Sequence, residues 1–185
     1  MAKSESIMFE TEDNFQKQTN RNRCYIYSPN GIQLLKIPIK HCTEKSQKTK
    51  DVRIENNFNW QKQHLKSLEA AYRTSPFFEF FEDEFQTIYS KKHIFLMDLN
   101  FESMEIISKC LRTTFEFEKT TEYFHEASDV LDFRNLANGK KDSSVFENYT
   151  QVFDDKHGFL NNLSVLDLIF NEGKYALDYL KNQTL

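Results

Sequence analysis

Arg23-Cys24-Tyr25-Ile26-Tyr27-Ser28-Pro29-Asn30-Gly31-Ile32-Gln33-Leu34-Leu35-Lys36-Ile37-Pro38-Ile39 is the stretch on which the fold turns. Proline presets φ at the second turn position, and Asn and Gly tolerate positive φ. Ser28-Pro29-Asn30-Gly31 therefore predicts a tight turn between two strands, Arg23–Tyr27 and Gln33–Ile39. Leu35, Ile37 and Ile39 alternate onto one face, as a half-buried strand requires. Pro38 cannot donate to a ladder, so an edge or a bulge is expected there.

Upstream of the hairpin, Ser6–Phe9 reads as a short strand and Glu10–Asn20 as a polar loop. Downstream, Lys40–Lys50 is polar and lysine-rich with no apolar period, which reads as a connection or as a lid over a site. Val52–Glu55 suits another short strand. From Asn59 to Arg73 the period becomes helical, with Trp60, His64, Leu68 and Ala71–Tyr72 on one face. Ser75-Pro76 has the chemistry of an N-cap and a first helical residue. Phe77, Phe78, Phe81, Phe85 and Ile88 form the buried stripe of that next helix. Its acids, Glu79, Glu82, Asp83 and Glu84, read as a solvated face near a favourable helix N-terminus.

His93–Leu111 is expected to be helical with a break at Asn100, Thr114–Glu118 extended, and Val130–Leu136 a short helix before the Asn138-Gly139 turn. Ser164-Val165-Leu166-Asp167 has capping-box spacing, in which hydroxyl and carboxylate satisfy backbone N–H groups at a helix start. Gly173 suits the end of that helix, and Lys174–Lys181 the last one. Strands come first and helices follow, so the fold class is α+β, a short N-terminal hairpin or sheet packed against several C-terminal helices.

At 185 residues the chain fits one domain with a core that needs neither disulfides nor metal. Its 18 Phe and 39% hydrophobic content exclude a disordered chain. The formal net charge of −4 removes the basic surplus that nucleic-acid binding calls for. Cys24, Cys42 and Cys110 are odd in number and lack zinc-ligand spacing, which points to a reducing compartment. No signal peptide opens the sequence and no run reaches membrane-spanning length, so membrane insertion is not expected and a cytoplasmic location is. With four glycines in all, there is no phosphate-cradling loop, dinucleotide fingerprint or nucleophile elbow. No cofactor and no metal are expected.

The densest polar block is Gln16-Lys17-Gln18-Thr19-Asn20-Arg21-Asn22-Arg23, running into the first hairpin strand. Arginine offers a planar fork for phosphate or carboxylate, lysine a point charge, and the amides can read sugar hydroxyls. This chemistry suits an anionic, polyol-bearing ligand such as a nucleotide sugar. The bland alternative is a solvated loop whose arginines pair with Glu10, Glu12 and Asp13. His64 lies on an apolar helix face, where most histidines are core residues, yet its titration range makes it a general acid/base candidate. His157, before Gly158 in an expected loop, is the second. Cys24 and Cys110 read as small buried hydrophobes, and Cys42 beside His41 does not form a dyad, because adjacent side chains in an extended segment diverge.

Three blocks resemble the WbqC-like family, in wording closest to its Bacteroidetes-type branch. They are Asp13–Arg23 with the strand ending Leu35-Lys36-Ile37-Pro38-Ile39, then Asn59–His64 through Ala71–Phe78, then Tyr149–Phe153 with Gly158–Gly173. The resemblance implies association with bacterial surface polysaccharide or O-antigen biosynthesis, and it brings no agreed mechanism. Lys17, Asn22, Arg23, Trp60, His64, Tyr72 and Pro76 match positions of the family pattern. Lys17, Asn22, Arg23, Trp60 and Tyr72 are accordingly taken as ligand-binding candidates, with His64 and His157 as catalytic ones. Relatives typically begin earlier, with an apolar strand and a Tyr-Phe/Leu-Pro motif, so either the true start lies upstream or this chain has lost part of the site. A missing strand would leave a sheet edge unpaired and favour homo-oligomers. Two roles remain open: an enzyme that modifies an activated sugar by group transfer, or a non-catalytic module serving a glycan enzyme.

Overall fold

The computed structural model describes residues 1–41, 46–127, 130–139 and 142–184. Strand β1 (Ile7–Phe9) pairs in parallel with a strand more than a hundred residues later. Strands β2 (Arg23–Ser28) and β3 (Gly31–Lys36) form the expected antiparallel hairpin, with Ser28 opposite Gly31 and Arg23 opposite Lys36. Gly31 takes φ 92°, the left-handed conformation that the turn demands. The ladder stops at Lys36, short of the expected Ile39. Beyond it the Ile37 amide turns to the Asn22 carbonyl at 3.0 Å, and the Pro38 carbonyl accepts from Glu55 at 2.9 Å. Pro38 thus sits where strand pairing changes hands.

Val52–Glu55 does not form a continuous strand. Its backbone is shared between two partners, Ile39 opposite Ile54 on one side and Arg53 opposite Phe95 on the other, each a single bridge. Val52 and Ile54 are nonetheless buried, so the apolar alternation in the sequence was anchoring the segment without extending a ladder.

Helix α1 (Trp60–Tyr72) buries Trp60, His64, Leu68, Ala71 and Tyr72, the face read from its period. Helix α2 (Phe78–Ser90) buries Phe78, Phe81, Phe85 and Ile88. It begins later than Ser75-Pro76 suggests. The Phe77 amide is claimed by the Phe170 carbonyl at 3.0 Å, which holds residue 77 as the cap. The Ser75 hydroxyl instead donates to the Tyr72 carbonyl at 2.7 Å and closes the end of α1. Helix α3 (Leu96–Cys110) runs unbroken through Asn100, whose amide reaches the Arg21 carbonyl at 3.0 Å.

Strand β4 (Phe117–Lys119) is the partner of β1. The Phe9, Phe101 and Phe117 rings pack between them and α3, with centroids 5.3 Å apart. The expected helix over Val130–Leu136 is a 3-10 turn at Arg134–Ala137; residues 128, 129, 140 and 141 around it lie outside the described set, as does Cys42. A single turn, α4 (Asp154–His157), precedes α5 (Val165–Glu172) and α6 (Ala176–Asn182). Gly173 ends α5 with φ 54° and lies so close to Phe77 that a Cβ there would meet Phe77 Cδ1 at 2.6 Å. The core runs from Ile26 and Leu35 of the hairpin through α1 and α2 to Ile169 and Phe170 of α5. The α+β architecture is therefore as expected, with the helices covering one side of the hairpin.

Candidate functional site

Three consecutive residues at the entrance to β2 carry unused hydrogen-bonding capacity. Arg21 gives Nη2 to Asp13 and keeps Nη1 buried without a partner. Asn22 donates Nδ2 to the Ile37 carbonyl at 2.9 Å, while its Oδ1 has no donor. Arg23 holds Nε buried with no acceptor. An unpaired buried polar group costs about 1–3 kcal/mol, so such a cluster is uncommon in a relaxed fold.

The segment before β2 is strapped down, which explains the rigid setting of these side chains. Lys48 and Lys50 bridge the Glu12 carboxylate and hold it below the usual range. The Phe15 amide reaches the Gln47 carbonyl at 2.8 Å and the Asn20 amide the Ala137 carbonyl at 2.7 Å. With Glu12 and Asp13 already paired and Glu10 lying 3.9 Å from Arg134, the loop's own acids are spent. Arg23 and Lys17 have no acidic partner among the described residues. The self-neutralised loop is thus realised for Arg21 and not for Arg23. Lys17 lies exposed in a turn of that loop.

Arg23 faces Lys36 across the ladder, and the Lys36 carbonyl accepts from His64 Nε2 at 3.1 Å. That bond sets the tautomer: Nε2 carries the proton and Nδ1 is the acceptor. Burial pushes the His64 pKa below its ordinary value, so the ring is neutral at pH 7. Its ring meets Trp60 edge-on at 5.1 Å and Tyr89 at 5.9 Å. The Trp60 Nε1 is a fourth buried atom without a partner. Tyr89 also lines a recess of about 330 Å³ with Leu65, Asp83, Gln86, Thr87 and Ser90. Asn22, Arg23, Trp60 and His64 are therefore linked through one strand end, and Tyr89 joins them from a helix where sequence reasoning had singled out no site residue. Three of the four orphaned atoms are donors and two belong to guanidinium groups. Such a corner favours an anionic acceptor.

The other two candidates stand elsewhere. His157 Nε2 and Lys156 Nζ both address the Pro29 carbonyl, at 3.0 and 2.7 Å, and hold the tip of the hairpin. Seven residues separate Pro29 from Lys36, roughly 20 Å along the strand, so the two histidines do not act together. Tyr72 lies in a buried network. Its hydroxyl accepts from the Tyr27 amide at 3.0 Å and donates to Asp167 Oδ1 at 2.8 Å. Asp167 Oδ2 accepts from Tyr149 at 2.6 Å and from Gln151 at 3.0 Å.

Asp167 is fully buried, and desolvation raises its pKa despite those three donors. The capping-box expectation is thus half met. Ser164 Oγ accepts from Leu166 at 3.4 Å, while the Asp167 carboxylate turns inward to the tyrosines. Cys24 and Cys110 are pushed up to about 11, chiefly by burial, and are inert thiols at neutral pH. Among the described residues no cluster of His, Cys, Asp or Glu could hold a metal ion, and no helix is long and apolar enough to cross a membrane.

Residues 1–141 match the profile of the WbqC-like protein family, and the chain belongs to that family. The match takes in the Lys17–Arg23 segment, Trp60, His64 and Tyr72, and leaves His157 and the Tyr149–Asp167 part of the buried network outside it. The chain is also similar to the uncharacterized protein Rv1507c of Mycobacterium tuberculosis, with 27% identity over 197 residues, covering 90% of this chain and 84% of that one. No solved structure matches.

Proposed function

We propose that the protein acts in surface-polysaccharide or O-antigen biosynthesis by holding an anionic, hydroxyl-bearing small molecule, such as a nucleotide sugar, at the Lys17–Arg23 segment. The observation that carries this reading is the run of orphaned polar atoms on Arg21, Asn22 and Arg23, with no acid beside Arg23. Arg23 supplies the charge, Asn22 accepts from a ligand hydroxyl, and exposed Lys17 adds a mobile cation at the rim. The choice of ligand class follows the association with glycan assembly that the resemblance to the WbqC-like family implies.

In the catalytic form of this proposal the reaction is group transfer to or from the activated sugar. His64, neutral and with Nδ1 as its free acceptor, is the base, and Trp60 packs its ring. Tyr72 supports the hairpin through Tyr27 and touches no ligand, and His157 acts on the hairpin tip. A second reading, a non-catalytic module that presents the ligand to a glycan enzyme, is favoured by one specific observation. His64 and His157 each commit Nε2 to a backbone carbonyl.

Calorimetric titration with UDP-glucose tests the binding. Charge-assisted hydrogen bonds contribute about 1.5–3 kcal/mol, so Arg23→Gln is expected to weaken binding roughly ten- to hundredfold. Equal affinities for wild type and variant would refute the role of Arg23. Saturable consumption of the nucleotide sugar, abolished in a folded His64→Gln variant, would decide for the catalytic form over the presenting one.

A further inference from the structure

A second recess lies beside the bridge between Ile39 and Ile54. It has a volume of about 280 Å³, and its lining includes Lys40, Arg53, Glu55, Asn56, Asn57 and Ile94. The Lys40 amide donates to the Arg53 carbonyl at 2.8 Å, which brings the two cationic residues side by side on paired segments. Neither has an acidic partner among the described residues. Glu55 is the one carboxylate on the lining, and it is engaged by the Asn57 amide at 3.0 Å. Two cations against one acid leave the lining with one positive charge in excess. The Arg53 guanidinium lies over the Phe95 ring at 5.4 Å, an arrangement that holds its plane and leaves its edge N–H groups for a ligand.

Beside the cations stands an acceptor that lacks a donor. Asn56 is fixed by the bond from its Nδ2 to the His93 carbonyl at 2.9 Å, and its Oδ1 is buried without a partner. The cations call for an anionic oxygen, while the Asn56 oxygen calls for a hydroxyl donor. A ligand that meets both demands is a phosphate monoester that also carries hydroxyl groups. At about 280 Å³ the recess falls just below the range of roughly 300–1,000 Å³ typical of pockets for larger ligands, which argues for a single phosphorylated polyol and against a whole nucleotide.

We propose that this recess, lined by Lys40, Arg53, Asn56 and Asn57, binds a small phosphorylated polyol, separately from the Lys17–Arg23 segment. Titration with glucose 1-phosphate and, in parallel, inorganic phosphate tests it. The expected result is saturable glucose 1-phosphate binding that falls at least tenfold in Lys40→Gln/Arg53→Gln and at least threefold in Asn57→Ala, and is unchanged in Lys62→Gln/Lys66→Gln. Both exposed cations can be replaced without opening the core, and unchanged thermal melting verifies that the variants fold. Absence of binding to wild type, equal affinity for inorganic phosphate, or full binding by the Lys40→Gln/Arg53→Gln variant would each overturn the proposal. A loss of the same size in Lys62→Gln/Lys66→Gln would overturn it too, because it would mark the binding as general surface attraction. The UDP-glucose titration is read through Arg23→Gln and this one through Lys40→Gln/Arg53→Gln, so failure of one leaves the outcome of the other distinct.

Discussion

Replacing Asp167 with Ala removes the acceptor on which the interior between α1, α5 and the Tyr149–Gln151 segment converges. Three side chains donate to its carboxylate, and they do not lose equally. Gln151 Nε2 retains the Leu160 carbonyl at 3.1 Å and the Tyr149 oxygen at 3.2 Å. The Tyr72 and Tyr149 hydroxyls have no other acceptor among their hydrogen bonds. Two buried O–H donors are therefore orphaned at about 1–3 kcal/mol each, and relief from burying the carboxylate offsets part of this. The expected loss is about 2–4 kcal/mol, a large share of the stability of a domain this size. Urea unfolding followed by Trp60 fluorescence is a direct assay, since Trp60 is the single tryptophan and is buried.

Tyr149→Phe, which leaves two of the three donors to Asp167, should cost about 1–2 kcal/mol. The pH dependence gives an independent arm. The folded pKa of Asp167 is raised above its ordinary 3.8, so its contribution is fully present below that value and is lost as pH rises through the raised folded value. In Asp167→Asn the group no longer titrates, so the stability gap between wild type and variant should narrow as pH rises from about 4 toward neutrality. A loss below about 1 kcal/mol in Asp167→Ala, or a gap that widens with pH, would refute the idea that this carboxylate organises the interior.

Gly173→Ala should be severe, because it combines φ 54° with a Cβ 2.6 Å from Phe77. A positive-φ conformation that L residues rarely adopt costs about 1–3 kcal/mol and overpacking about 1–3, so Tm should fall by roughly 5–20 °C. Gly158→Ala, at φ 72° with open space around it, should cost only the backbone part; equal effects at the two positions would show that the Phe77 contact is not the cause. His64 has a folded pKa below 6.5, so its contribution is present above pH 6.5 and is lost as pH falls through the lowered value. His64→Gln keeps a donor for the Lys36 carbonyl and should flatten the acid side of the stability curve; parallel curves for variant and wild type would contradict the assigned burial effect.

What could be read in the sequence divides along the range of the physics involved. Turn chemistry at Ser28–Gly31 and the helical period from Trp60 to Tyr72 are local signals, and both appear in the fold at nearly the expected residues. Where a distant group intervened, the local signal failed. The Phe170 carbonyl takes the Phe77 amide and moves the start of α2, and two separate partners divide Val52–Glu55. The same holds for the site. A run of Arg, Asn and Arg is visible in any reading, but which arginine is already neutralised depends on Asp13 and Thr49 meeting across the loop.

Asp167 is the sharpest instance, because its spacing from Ser164 offers a complete local explanation. Only a tyrosine 95 positions away and another 18 positions away reveal that its carboxylate serves the interior. An acid inside the apolar run Val165–Phe170 was the available signal, since Leu166 through Asn171 are all buried together. A cap faces solvent and a buried carboxylate needs donors, so an acid inside an apolar run calls for partners from elsewhere in the chain. Tyr149 in the third family-like block and Tyr72 in the second are the residues of the right chemistry to supply them.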